Sequence, residues 1–291
     1  MARGLTEMCS ASLLVSALLA VLAVADGAVA QPSASPPSGP SAGSHPAVRH
    51  PWLVPALASV RGPCGVTLRP GITLGQHPLQ ALELYLPDTP NGAAVLVIHG
   101  GGWRGGDKSG VGELSGLLAS QGFLAAAVNY RLAPEHKWPA QLTDCRLAVN
   151  WLKREGSAFG LKAGRIGALG TSAGGHLAAM LALVDGEPRA GAKVAAACTY
   201  FGLSDLVLHS VQSTFTRTVL IDLLGAPVER AQDRYREASP VTHVDAGDSP
   251  VQICQGGKDT LVPPVQATLL HEALTAKEVP TELVLLEDQG H

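Results

Sequence analysis

Residues 165–183 read Arg165-Ile166-Gly167-Ala168-Leu169, then Gly170-Thr171-Ser172-Ala173-Gly174-Gly175, then His176-Leu177-Ala178-Ala179-Met180-Leu181-Ala182-Leu183. The first run is apolar and of strand length, and the last is helix-like. The G-x-S-x-G between them has the layout of a serine nucleophile on a sharp strand-to-helix turn. Glycines are needed there because two chain segments pass closely while the serine backbone is held in a strained conformation. Such a turn projects the Ser172 hydroxyl above the sheet edge, and the N-terminus of the following helix offers unpaired N–H groups to a developing oxyanion. A plain Gly/Ser connection fits the same pentapeptide, so the reading depends on partners found elsewhere in the chain.

Around this turn, strand-length apolar runs alternate with longer helix-like segments. Ala81 to Leu86 places Leu82, Leu84 and Leu86 on one face, as expected of an outer or edge strand. Ala93 to His99 and Phe123 to Asn129 are nearly continuous apolar runs, which suits strands covered on both faces. Gly112 to Gln121 reads as a helix between them, and Pro139 opens a longer one to about Phe159, with Leu142, Cys145, Val149 and Leu152 at three-and-four spacing. Further strands are expected at Val194 to Phe201, Val251 to Gln255 and Leu283 to Leu286, with a helix from about Pro264 to Lys277. The alternation predicts one α/β domain with a mostly parallel sheet and right-handed crossovers. Leu203 to Ser239 breaks the rhythm. It is expected either to sit over the strand ends as a small lid-like insertion or to pack on the sheet as a structural excursion.

The 291 residues are 46% hydrophobic and carry 21 Lys+Arg against 24 Asp+Glu, a formal net charge of -3. This near-neutral balance, with no basic stripe, sets nucleic-acid binding aside. Arg3 precedes an apolar run from Ala11 to Val24, and Ala28-Val29-Ala30 fits a small-x-small cleavage pattern before Gln31. Residues 1–30 are therefore expected to be a cleavable secretory signal, because the apolar run is shorter than the ~20 residues of a spanning helix. No stable membrane span is expected after cleavage, and the mature chain would be secreted or periplasmic. Residues 31–51 are rich in Pro, Ser and Gly and read as a linker, leaving 52–291 as the folded domain. Cys64, Cys145, Cys198 and Cys254 follow the cleavage point, and their spacing assigns no disulfide and no zinc site.

A serine hydroxyl needs a base, an acid and an oxyanion site before it becomes a nucleophile. His99-Gly100-Gly101-Gly102-Trp103 follows a strand, and its glycines let backbone N–H groups approach a substrate oxygen. A phosphate cradle is disfavoured, since no G-K-[ST] follows and the spacing is not G-x-G-x-x-G. Taken together, H-G-G-G-W with Gly106-Asp107-Lys108, Tyr130-Arg131-Leu132-Ala133-Pro134-Glu135-His136 and G-T-S-A-G-G-H resemble the α/β-hydrolase esterases of the hormone-sensitive-lipase and acetyl-xylan/feruloyl-esterase-like (BD-FAE-like) group. The resemblance runs from about Ala81 to His291. It implies the α/β-hydrolase fold with about eight strands, cleavage of carboxylic esters, and oxyanion donors at the N–H groups of Gly101, Gly102 and Ala173.

Chain order in that fold is nucleophile, acid, histidine. His176 lies one turn along the nucleophile helix and is expected to point into the structure; His209 and His243 precede the best acid, and His271 sits mid-helix. The resemblance places the base at His291, on a short loop after the last strand. Asp259, in Gln255-Gly256-Gly257-Lys258-Asp259-Thr260-Leu261-Val262-Pro263, resembles the acid of the family's H-G-x-x-D-x-x-V-P loop. Gln255 replaces the His of that pattern, a departure expected to affect packing more than catalysis. Asp288 is the alternative acid, and Asp205 is expected to be structural.

On this reading Ser172, Asp259 and His291 form a triad acting on short-chain acyl esters of acetyl or feruloyl type, free or linked to polysaccharide, with no metal or organic cofactor. Trp103 is a candidate substrate-binding residue, and Trp138 and Phe201 are further candidates for an aromatic pocket wall. An arylformamidase or amidase, or an inactive hydrolase-fold binding module, remains as an alternative. The domain is further expected to lack, through absence or truncation, the final helix that follows the histidine in this group.

Overall fold

The computed structural model describes residues 65–185, 191–212 and 214–291. The expected signal, the linker and Cys64 lie outside the described residues. From the N-terminal side the elements are β1 (Val66–Thr73), β2 (Ala81–Pro87), β3 (Ala94–Ile98), α1 (Gly112–Ser120), β4 (Leu124–Val128) and α2 (Ala140–Glu155). Next come β5 (Ile166–Thr171), α3 (Ala173–Leu183), β6 (Ala196–Tyr200), α4 (Leu206–His209), α5 (Thr214–Leu224) and α6 (Val228–Glu237). The domain closes with β7 (Val251–Gly256), α7 (Val265–Ala276) and β8 (Thr281–Leu286).

Among the described residues these strands form one eight-stranded sheet in the order β1-β2-β4-β3-β5-β6-β7-β8. The β1–β2 and β2–β4 pairs are antiparallel and all the others parallel. Parallel neighbours require helical crossovers, which cover both faces, and this is why β3 and β4 are buried at every position. Side-chain alternation splits the core in two. Leu96 and Ile98 join Cys145, Val149 and Leu177 of α2 and α3, while Val95 and Val97 face Leu118 of α1. Leu96 is wholly buried, so truncating it to alanine would cost about 2–5 kcal/mol.

The structure refines the sequence expectation at β1 and β2, at the helix after Pro139 and at the insertion. β2 is an outer strand as expected, with β1 paired outside it as the edge. Nearly all side chains of β1 are exposed and its register shifts between Arg69 and Ile72, so it carries no hydrophobic period. The helix expected from Pro139 to Phe159 starts after Pro139, which is its N-cap, and gives way to a 3-10 turn at Gly156–Phe159. The insertion packs on the core and also borders the strand ends. Leu220, Leu223 and Leu224 of α5 pack into the core, while other side chains of that helix border a pocket at the strand ends. Among the described residues no helix is long and apolar enough to cross a membrane.

Candidate active site

Ser172 stands between the end of β5 and the start of α3 with φ 53° and ψ −118°, a conformation that side chains other than glycine rarely adopt. Holding a residue there costs about 1–3 kcal/mol, and the surroundings must impose it. They do so by proximity. A Cβ on Gly170 would run into the Gly174 carbonyl, and a Cβ on Gly174 into the carbonyls of Ile98 and His99. The turn is tied down where the Ser172 N–H donates to the Tyr200 carbonyl at 2.9 Å and the His176 N–H donates to the Ser172 carbonyl at 3.0 Å.

His291 reaches this turn from the loop after β8. Its Nε2 lies 3.1 Å from Ser172 Oγ, and its Nδ1 lies 2.8 Å from Asp259 Oδ2. A carboxylate only accepts, so Nδ1 carries the proton and Nε2 is left to accept from the serine hydroxyl. Asp259 is buried, and its Oδ1 accepts from the N–H groups of Leu261 (2.9 Å) and Val262 (2.8 Å). The two loops are laid against each other: Lys258 N–H donates to the Gln289 carbonyl at 2.8 Å, and Gly257 N–H to the Leu286 carbonyl at 2.9 Å. Asp288 instead pairs with Lys258 at 2.6 Å in solvent. Asp205 caps α4 by accepting from the Leu208 N–H.

Of the other histidines after Ser172, His176, His243 and His271 are engaged elsewhere, and His209 borders the pocket. His176 is fully buried, its Nε2 bonds the Ala238 carbonyl at 2.7 Å, and burial pushes its pKa down to about 4. His243 bonds the Glu237 carbonyl, and His271 lies 3.3 Å from Thr281 Oγ1.

The glycine run after β3 turns back on itself, with Gly101 at φ 110° and Gly102 at φ 59°. Among the described residues the N–H groups of Gly101, Gly102 and Ala173 donate to no protein acceptor. Gly101 and Gly102 line the pocket with Ser172, and Ala173 opens α3 directly beneath it. The Tyr130-Arg131-Leu132-Ala133 stretch buttresses this loop. Tyr130 donates to the His99 carbonyl at 3.0 Å and stacks on the His99 ring at 4.3 Å, while Ala133 N–H donates to the Trp103 carbonyl at 2.8 Å.

The pocket in front of Ser172 has a volume of about 460 Å³. Trp103, Phe201, Leu203, Phe215, Val219, Leu261 and Val262 form its apolar wall; Thr171, Ser172, His209, Thr216 and His291 are its polar points, and among the described residues no Asp, Glu, Lys or Arg lines it. Trp103 forms part of the lining but is only 1% exposed, because its ring packs edge-on against His176. Trp138 does not line the pocket; it too packs on His176, at 5.5 Å. His209, which chain order sets aside as the base because it precedes the acid, nevertheless lines the pocket, and burial lowers its pKa. Gln255 adds a contact that the sequence does not show. Expected to matter for packing, it places its Nε2 3.2 Å from Asp259 Oδ2, the same oxygen that His291 contacts.

Comparison with known proteins agrees with this architecture. The BD-FAE family matches residues 82–274. The probable carboxylic ester hydrolase LipM of Mycobacterium tuberculosis is 32% identical across 62% of this chain and 44% of its own, and the esterase LipC of the same organism is 32% identical across 70% and 54%. The chain thus spans about half the length of the curated relatives it matches. A thermophilic esterase from Thermogutta terrifontis shares the α/β-hydrolase fold with a TM-score of 0.64 at 24% identity, covering 78% of this chain and 83% of that one. With two thirds of its length matched by that family, and with the sheet order and serine turn described above, the chain belongs to the BD-FAE family of α/β-hydrolase-fold proteins.

Proposed function

We propose that this protein is a serine carboxylic-ester hydrolase acting on uncharged esters with short acyl groups. The observation that carries the reading is the continuous relay from Asp259 Oδ2 through His291 to Ser172 Oγ, with steps of 2.8 and 3.1 Å, at the mouth of an apolar pocket. The family membership and the names of the curated relatives support the same chemistry.

Ser172 Oγ attacks the ester carbonyl while His291 Nε2 takes its proton, and the Asp259 carboxylate stabilises the imidazolium that forms. The tetrahedral oxygen receives the N–H groups of Gly101, Gly102 and Ala173, which have no other acceptor among the described residues. One such donor is worth about 3 kcal/mol in the transition state. His291 returns the proton to the departing alkoxide, and water then repeats the sequence on the acyl-enzyme. A pocket wall without charged side chains favours neutral acyl groups, because a buried ion without a partner carries a large desolvation cost. On the same reading, residues 1–30 direct the protein out of the cytoplasm, and mature chains begin at Gln31.

The experiment is Ser172→Ala assayed with p-nitrophenyl acetate and a fluorophosphonate probe. Native protein is expected to turn over the ester and take up one probe, and the variant to do neither while unfolding at the same temperature. Unchanged turnover in the variant removes the assignment. A panel of acetate, butyrate, octanoate, methyl ferulate and an N-formyl anilide then orders the acyl preference.

A further inference from the structure

Gln255 is the penultimate residue of β7, buried to 1% exposure, and its side chain lies under the loop that carries the acid. Its Nε2 is within hydrogen-bond distance of three acceptors: the Gly256 carbonyl at 3.2 Å, Asp259 Oδ2 at 3.2 Å and the Val262 carbonyl at 3.0 Å. Those acceptors occupy the start, the middle and the end of the acid loop. They also fix which end of the amide faces the loop, since the reverse orientation would set an oxygen against three oxygens. The Oε1 atom is buried without a partner among the described residues. Burying an unpaired carbonyl is unfavourable, so the fold retains this amide for what its other end does.

With this contact the Asp259 carboxylate has four donors. Leu261 and Val262 N–H hold Oδ1, and His291 Nδ1 and Gln255 Nε2 meet at Oδ2. The two backbone donors fix where Oδ1 lies. The amide adds a third fixed point, which sets the plane of the carboxylate and therefore the direction from which His291 is held. We infer that Gln255 is a positioning residue of the triad: its amide locks the Asp259 carboxylate plane and the loop 256–262, so that Oδ2 faces His291 Nδ1. Gln255 touches neither the nucleophile nor the substrate, and it acts through Asp259. The inference rests on the triad reading given above.

The test compares full-length native protein with Gln255→Leu, Gln255→Met and Gln255→His, measuring kcat and KM for p-nitrophenyl acetate, the rate of Ser172 labelling by a fluorophosphonate, and the His291 Nδ1 proton signal in protein carrying 15N-labelled histidine. Leu and Met remove the donor, and Met retains the length of the side chain should Leu fail to fold. Both are expected to lower kcat and the labelling rate by about tenfold, with KM within about twofold, because orientation of the base is lost while the pocket is untouched. The Nδ1 proton signal should broaden or vanish as its partner becomes mobile, and Gln255→His, which restores an N–H donor, should recover both rate and signal. Folded Leu and Met variants with native labelling rate and native proton signal would overturn the inference, as would a folded His variant no better than Leu. Absence of labelling in the native protein would instead overturn the triad reading, so the two failures are distinguishable.

Discussion

The ring of Phe201 lies 4.4 Å from the imidazole of His291, inclined to it by 51°. Phe201 follows β6 with φ 42°, and its N–H donates to the Cys254 carbonyl at 2.7 Å, so the ring is presented from a strained but anchored position. It packs against the imidazole at this tilt and lines the pocket beside it. Phe201→Ala is expected to lower kcat/KM roughly tenfold, mostly through kcat, because small misplacements of a reacting group are costly. Phe201→Tyr, which keeps the ring, should stay within about threefold of native. Steady-state kinetics on an uncharged acetate ester decides it; native kcat in the alanine variant would mean that the ring is only packing.

A second prediction concerns Arg104 and Asp222, paired at 3.1 Å with side chains 42% and 25% exposed. Arg104 continues the glycine run after Trp103, while Asp222 lies on α5, whose Phe215, Thr216 and Val219 border the pocket. The pair therefore links the oxyanion loop to the insertion. A pair this exposed is worth at most about 1 kcal/mol of stability. Arg104→Ala and Asp222→Ala should therefore unfold within a few degrees of native and raise KM several-fold with kcat nearly intact. The exchange Arg104→Asp with Asp222→Arg should restore KM. If either single variant keeps native KM, the insertion does not depend on this link.

The pH dependence of stability can be worked out from His176, held between Trp103, Trp138 and the Ala238 carbonyl. Burial keeps the folded pKa at about 4, against an ordinary value of 6.5, and the Ala238 hydrogen bond offsets only part of that effect. As pH falls below about 6.5 the unfolded chain binds a proton that the folded chain refuses until about pH 4, so stability is full above this window and declines through it. The whole window corresponds to roughly 3 kcal/mol, and about 2 kcal/mol of it is lost by pH 5. Urea unfolding at pH 7.5 and pH 5.0 should show native protein losing about 2 kcal/mol more than His176→Gln. Equal losses in the two proteins would show that His176 is not the group responsible.

Much of the fold is legible in local pattern. The apolar runs that became β3, β4, β6 and β7 are continuous because two helical layers cover them, and α2 carries three-and-four spacing. β1 is not legible, since exposed side chains leave no period and Pro70 and Gly71 interrupt it. The glycines of the serine turn were readable because backbone crowding excludes every other residue there. The pocket wall was not. Leu203, His209, Phe215 and Val219 meet Ser172 only after α4 and α5 fold back over the strand ends, and no spacing rule reports that.

The serine turn, the glycine run and the alternation of strand and helix follow from sterics and periodicity over a few residues and are readable in the chain alone. Chain order and the resemblance point to His291 and Asp259, but the meeting of His291 with Ser172 at 3.1 Å and with Asp259 at 2.8 Å is a product of the folded sheet. His291 is 119 residues away along the chain and Asp259 a further contact beyond it. They converge because the parallel pairing of β5, β6, β7 and β8 brings the C-terminal ends of those strands to one edge of the sheet. The role of Gln255 belongs to the same category, since a residue read as packing in one dimension becomes a hydrogen-bond partner of Asp259 once β7 and the loop above it are folded.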